Sequence, residues 1–126
     1  MIIKCSVSLG ELVDKISILR IKMLNIKDAQ KVSLAKNEYD ELMSTLDKLS
    51  LDGIDSFLEE LVSVNSELWK IEDDIREQER AKDFGEKFIE LARAVYVTND
   101  RRFAVKNRIN NQFGSGIKEV KSYEEY

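Results

Sequence analysis

Asn99, Lys106 and Asn110 fall where an apolar stripe should run without interruption. If residues 84–113 wind as one helix at about 100° per residue, the three share a face with Phe84, Phe88, Leu91, Ala92, Val95, Ile109 and Phe113. Burying an amide or an ammonium without partners costs about 1–7 kcal/mol, so other elements must bring matching groups to that face. Two other segments carry such groups. Between residues 57 and 82, Asn65, Trp69, Glu72, Arg76 and Glu79 fall within about 80° of one another beside an apolar seam, whereas Glu67, Lys70, Asp74 and Glu77 point to solvent. Glu72 and Arg76 form an i,i+4 pair, and Trp69 offers a broad flat wall. Near the N-terminus, Glu11, Lys15 and Lys22 flank a third seam. Convergence of the three segments gives a polar inter-helix site of Glu11, Lys15, Trp69, Glu72, Arg76, Asn99, Lys106 and Asn110. Such a site is expected to recognise an anionic ligand or to fix a partner's register. Lys106 is expected to be buried and paired, with Glu11 or Glu72 as the carboxylate. The competing structural reading packs Trp69 at a helix interface and makes Glu72, Arg76 and Glu79 an ion-pair network, with Lys106 snorkelling to the rim.

The chain has no histidine and one cysteine, Cys5, which removes histidine-based triads, disulfides within the chain, and any histidine or multi-cysteine metal site. Acid–base chemistry is left to carboxylates, Lys and Tyr. A magnesium-dependent alternative rests on Glu11, Glu72 and Glu79: carboxylates on facing helices hold Mg²⁺ in all-α pyrophosphohydrolases that act on phosphate-containing small molecules. Glu11 and Asp14 add an ExxD spacing, but helical geometry is expected to turn Asp14 about 100° away from Glu11. The first reading, a non-catalytic binding or assembly module, needs neither metal nor cofactor. Beside Ile3 and Val7, Cys5 is expected to face a core, and a lone cysteine suits a reducing compartment.

A net charge of −4 argues against broad electrostatic binding to nucleic acid, despite a local run of Arg101, Arg102, Lys106 and Arg108. The N-terminal MIIKCSVSLGELVDK shows no basic region followed by a long apolar one, and no stretch approaches 18 uncharged apolar residues. A cytoplasmic protein that does not enter a membrane is expected.

The elements that must position these side chains are helical. With no proline, five glycines and many Leu, Ile, Lys and Glu residues, 126 residues suit one all-α domain. Residues 1–7 read as a short strand or extended arm. Ser8 and Glu11 make a capping box before Leu12, Ile16, Leu19, Met23 and Ile26. Val13, Ile18 and Ile21 lie off that seam, so this helix is expected to be central. A corner at residues 25–28 precedes the seam Val32, Ala35, Tyr39, Leu42, Met43, Leu46 and Leu49, and a turn around Gly53 follows. Asp55 is expected to cap a third helix reaching about Lys82, close to 40 Å long. Asp83 and Glu86 read as a second capping box, Thr98-Asn99-Asp100 as a bend, and residues 114–126 as a tail that docks or frays. Antiparallel hairpins in a four-helix bundle-like domain follow, and long helices with surplus apolar positions on the first point to a homo-oligomer.

At GELVDK, LWKIEDDIREQE, FIELARAVYVTND and KSYEEY the chain resembles an uncharacterised family of short bacterial and viral proteins known only as a domain of unknown function. The likeness spans nearly the whole chain. Its pattern includes Gly10, Glu11, Asp14, Lys15, Trp69, Glu72, Asp73, Arg76, Glu79, Arg93, Tyr96, Asn99, Asp100, Lys106, Asn110, Lys121 and Tyr123. The resemblance imports no reaction, but it implies that these polar positions and the tail belong to one design, which favours a pocket over scattered charge. For the fold, circular dichroism is expected to give roughly two thirds helix or more, against a globular average of about one third; a dominant sheet signal would overturn the class.

Overall fold

The computed structural model describes residues Met1–Tyr126 as four helices and no strand. They are α1 (Leu9–Asn25), α2 (Ala29–Lys48), α3 (Ile54–Arg80) and α4 (Glu86–Gln112). Ser8 caps α1, its Oγ accepting the Glu11 N–H at 3.1 Å. Asp28 caps α2 by accepting from the Gln30 and Lys31 N–H groups at 2.9 and 3.3 Å. The other two starts differ from the sequence reading. Gly53, at φ +85°, precedes α3 and leaves Asp55 inside its first turn. Asp83 accepts the Gly85 N–H at 3.1 Å, closing a tight turn two residues long rather than a capping box with Glu86.

Two more expectations are corrected by where polar side chains find partners. Thr98, Asn99 and Asp100 do not interrupt or restart α4, which runs unbroken through them. The Asp100 carboxylate is taken by Lys121 and Tyr126, and Asn99 faces Arg102, so neither competes for the backbone. Residues 1–7 are an exposed arm without strand pairing, and Cys5 faces solvent rather than a core because nothing packs over the arm.

α1 packs against each of the other three helices, which accounts for apolar residues around its circumference. Val13, Ile16, Leu19 and Ile21 are all buried within the single chain. Ile18, the third position off the seam, is half-buried, and Leu24 near the end of the helix is exposed. Val13 and Ile16 join Leu46, Ile54, Leu58, Leu61, Val105 and Ile109 in one core. α3 and α4 form an antiparallel hairpin, tied across by Arg108–Glu60 and Arg101–Glu67 ion pairs, each at 2.5 Å. Toward its tip apolar cover thins out. Between Trp69 and Val97 only Leu91 is buried, and Phe84, expected on the core face, is half exposed against the edge of Phe88.

α1 meets α4 at very short range. Gly10 N–H donates to Asn110 Oδ1 at 2.7 Å, and a Cβ on Gly10 would lie 2.6 Å from the Lys106 carbonyl oxygen. Glycine is required here by space, since its φ is not in the left-handed region. Gly10→Ala gains about 1 kcal/mol of helix propensity, but it must push α1 off a backbone carbonyl, and overpacking costs about 1–3 kcal/mol. Urea denaturation is expected to show a net loss of about 1–2 kcal/mol; a neutral or stabilised variant would mean that the helices do not approach so closely.

Candidate functional site

Beside their shared apolar core, α1, α3 and α4 also meet through a polar layer. Asp14, on α1, has a side chain only 1% exposed. Its Oδ2 accepts from Arg102 Nη2 at 2.6 Å, and its Oδ1 accepts from Arg102 Nε and Asn65 Nδ2, both at 2.9 Å. Asn65 Nδ2 also donates to Ser17 Oγ at 2.8 Å, and Ser17 donates to the Asp14 carbonyl at 2.6 Å. A buried carboxylate is tolerated when a bidentate guanidinium and a further donor satisfy it. The Asp14 acceptor in turn holds the Arg102 guanidinium above its ordinary pKa, so its charge is fixed.

One turn along α4, Lys106 is 7% exposed and bridges two carboxylates, Glu11 at 2.9 Å and Glu119 of the tail at 2.7 Å. Burial by itself would depress its pKa; the hydrogen bonds to Glu119 and Glu11 outweigh that and leave it above the ordinary 10.5. Asn110 completes the row. Its orientation is fixed because Gly10 N–H needs an acceptor, which leaves Asn110 Nδ2 buried without a partner.

Two open grooves flank this layer and share Asn99 and Arg102. The first, about 480 Å³, lies beside Trp69, Glu72, Asp73 and Arg76 of α3, with Ile18 and Ile21 of α1 on its floor. The second, about 600 Å³, lies between α4 and the tail, with Lys106, Glu119 and Lys121 among its polar groups and Tyr96, Phe103 and Tyr123 among its rings. The tail is docked rather than frayed: Lys121 and Tyr126 hold Asp100, keeping its carboxyl below the usual range through Lys121 first and Tyr126 second.

Of the residues singled out from the sequence, Glu11, Asn99, Lys106 and Asn110 come together where α1 meets α4. Trp69, Glu72 and Arg76 line the neighbouring groove, and the Arg76–Glu72 pair, 3.3 Å apart, lies near solvent. Glu72 is no more enclosed than Asp74, their side chains being 46% and 37% exposed, so the two carboxylates do not divide into edge-of-core and surface. Lys15 leaves the site altogether and pairs with Glu38 of α2 at 2.9 Å. Glu11, Glu72 and Glu79 do not assemble a metal site: Glu11 holds Lys106, Glu72 holds Arg76, Glu79 faces Lys82, and no three carboxylates or thiols gather to hold an ion. The basic run of α4 is equally internal, since Arg101, Arg102, Lys106 and Arg108 each bind a carboxylate of the same chain.

Asp14, Ser17, Asn65, Arg102 and Glu119 carry the layer without having been placed in it beforehand. A signal for Asp14 was present: three residues at about 100° each bring it to within about 60° of Glu11, the same face rather than a remote one. The chain matches the family of unknown function DUF6165 over residues 3–126. It belongs to that family. No curated protein and no solved structure matches it. Membership adds no reaction, so the chemistry of the family has to be read from geometry such as this layer. No helix is long and apolar enough to cross a membrane.

Removing the charge of Asp14 strands Arg102 beside an amide. Asp14→Asn is expected to cost about 3 kcal/mol in urea denaturation, as loss of one partner of a buried pair does. Lys106 predicts an alkaline effect. Its folded pKa lies above the unfolded 10.5, so its contribution is complete below that value and lost as pH rises through the higher one. The stability difference between wild type and Lys106→Met should be constant from pH 6 to about 10 and shift against wild type above about pH 10.5; a difference that changes near neutrality would contradict a paired ammonium.

Proposed function

We propose that the protein is a non-catalytic helical binding module whose polar layer between α1, α3 and α4 takes an anionic ligand from the groove between α4 and the tail. One observation carries this reading: Lys106 is a buried ammonium, yet both of its carboxylate partners are about half exposed, Glu11 at 48% and Glu119 at 42%. A half-exposed carboxylate returns to water at little desolvation cost, whereas the buried ammonium must keep an anionic partner. Here the cation is fixed and the anions can be exchanged with solvent. Arg102 and Asn99 extend the donor row along the same groove. A volume of about 600 Å³ is within the range of small-molecule sites, roughly 300–1,000 Å³.

The module is proposed to act in the cytoplasm as a homo-oligomer. The free, exposed Cys5 suits a reducing compartment. Exposed apolar side chains, among them Phe84 and Ile89 near the α3–α4 tip and Leu24 of α1, support a contact between copies.

Thermal unfolding with sodium phosphate, citrate or 3-phenylpropionate, against chloride at equal ionic strength, tests the site. A specific anion at ten times its Kd stabilises by about 1.4 kcal/mol, or about 3–6 °C in Tm at this chain length. Lys106→Met should abolish the response; no specific response in wild type, or one that survives Lys106→Met, would overturn the reading. A response to a phosphate compound that appears only with Mg²⁺ would instead favour the hydrolase.

A further inference from the structure

Part of the groove beside α4 is already filled by the chain's own tail. Lys118 donates to Asn111 Oδ1 at 2.9 Å, and Lys121 is held by the Asp100 carboxylate. The Lys121 ammonium also lies 5.4 Å from the Phe103 ring centre and 5.9 Å from that of Tyr123, close enough for cation–π attraction. Beyond them, Tyr126 donates to Asp100 at 2.6 Å and meets Tyr96 edge to face. The tail is thus anchored on both sides of Glu119. The Glu119 side chain has one ionic contact, Lys106, and a half-exposed position from which it can rotate into water while the backbone stays in place.

Building on the anion-site reading above, we infer that the Glu119 carboxylate is an internal stand-in for the ligand, and that the ligand is a monocarboxylate with an apolar or aromatic body. The charges decide between a carboxylate and a phosphate. At rest, the cations Arg102, Lys106 and Lys121 face the carboxylates of Asp14, Glu11, Asp100 and Glu119. When Glu119 swings out, three cations face three carboxylates, and one incoming negative charge restores the resting balance. A dianion would set a second negative charge beside Glu11 and Asp14, where burial weakens screening. The body follows from the apolar part of the walls: Val95, Tyr96, Phe103, Val120 and Tyr123 are five of the twelve residues lining the groove that runs outward from Lys106. Glu119 then regulates the site by occupying it. If it holds Lys106 about nine tenths of the time, the apparent affinity for ligand is about tenfold below the intrinsic one.

Isothermal titration of the full chain with 3-phenylpropionate, acetate and phenyl phosphate at constant ionic strength tests this, comparing wild type with Glu119→Gln. Glutamine keeps the shape and lies in the exposed tail, so folding should be unaffected, and circular dichroism checks it. The expected result is tighter 3-phenylpropionate binding in Glu119→Gln by about three- to tenfold, with acetate and phenyl phosphate weaker than 3-phenylpropionate in both proteins. Unchanged or weaker binding in Glu119→Gln, or a preference for phenyl phosphate, overturns the stand-in while leaving a Lys106-dependent anion site intact. If no anion binds either protein in a Lys106-dependent way, the functional reading falls and the inference falls with it.

Discussion

One carboxylate sets the geometry of this protein. Asp14 is enclosed at the meeting of α1, α3 and α4, where leaving its charge without a partner would cost about 3–5 kcal/mol. It is satisfied by donors from two different helices, Arg102 of α4 and Asn65 of α3, so its solvation by protein exists only when all three helices are in register. A hydrophobic contact tolerates sliding by a fraction of a turn; a bidentate guanidinium does not. Gly10 acts in the same direction. By letting α1 touch the α4 backbone, it brings Glu11 within reach of Lys106 one turn from the Asp14 pair.

The layer sits at the edge of the main apolar core, with Leu19, Ile21 and Leu68 buried just beyond it. The core is built from the first half of α1, the end of α2, the first half of α3 and the last third of α4. Beyond Leu68 of α3 and Thr98 of α4, side chains become half exposed and the α3–α4 hairpin continues with only Leu91 buried. A polar layer at that boundary keeps one face against low-dielectric packing and opens the other to grooves. That combination gives a fixed positive group with exchangeable partners, which neither a full core nor an open surface provides.

The helices and much of the layer were legible in the sequence for a definite reason. Helix period places residues relative to their own axis, and it put Asn99, Lys106 and Asn110 on the inner face of α4 and the apolar residues all round α1. It says nothing about which residue on another helix stands opposite. Lys15 and Glu11 share a flank of α1, yet the flank splits: Glu11 turns to α4 and Lys15 to Glu38 of α2. Arg102 looked like one of several surface cations until its partner came from a residue 88 positions away. Cys5 and Phe84 failed differently. Both had apolar neighbours in sequence, but burial requires a covering element, and neither the arm nor the hairpin tip has one.

The tail shows why charge counted over a chain misleads about a site. An acidic protein with a basic run on one helix suggests either electrostatic attraction to polyanions or nothing at all. In the folded chain every cation of that run is neutralised at home, so long-range attraction is spent before a ligand arrives. What is left is short-range: which pair can be opened, and at what cost. Opening Asp14–Arg102 would strand an almost fully buried carboxylate, whereas releasing Glu119 returns a half-exposed one to water and leaves Lys106 still bound to Glu11. In the proposed anion site, selectivity would come from the difference between two ion pairs on adjacent turns of α4, one locked by burial and the other formed by a half-exposed side chain of the tail.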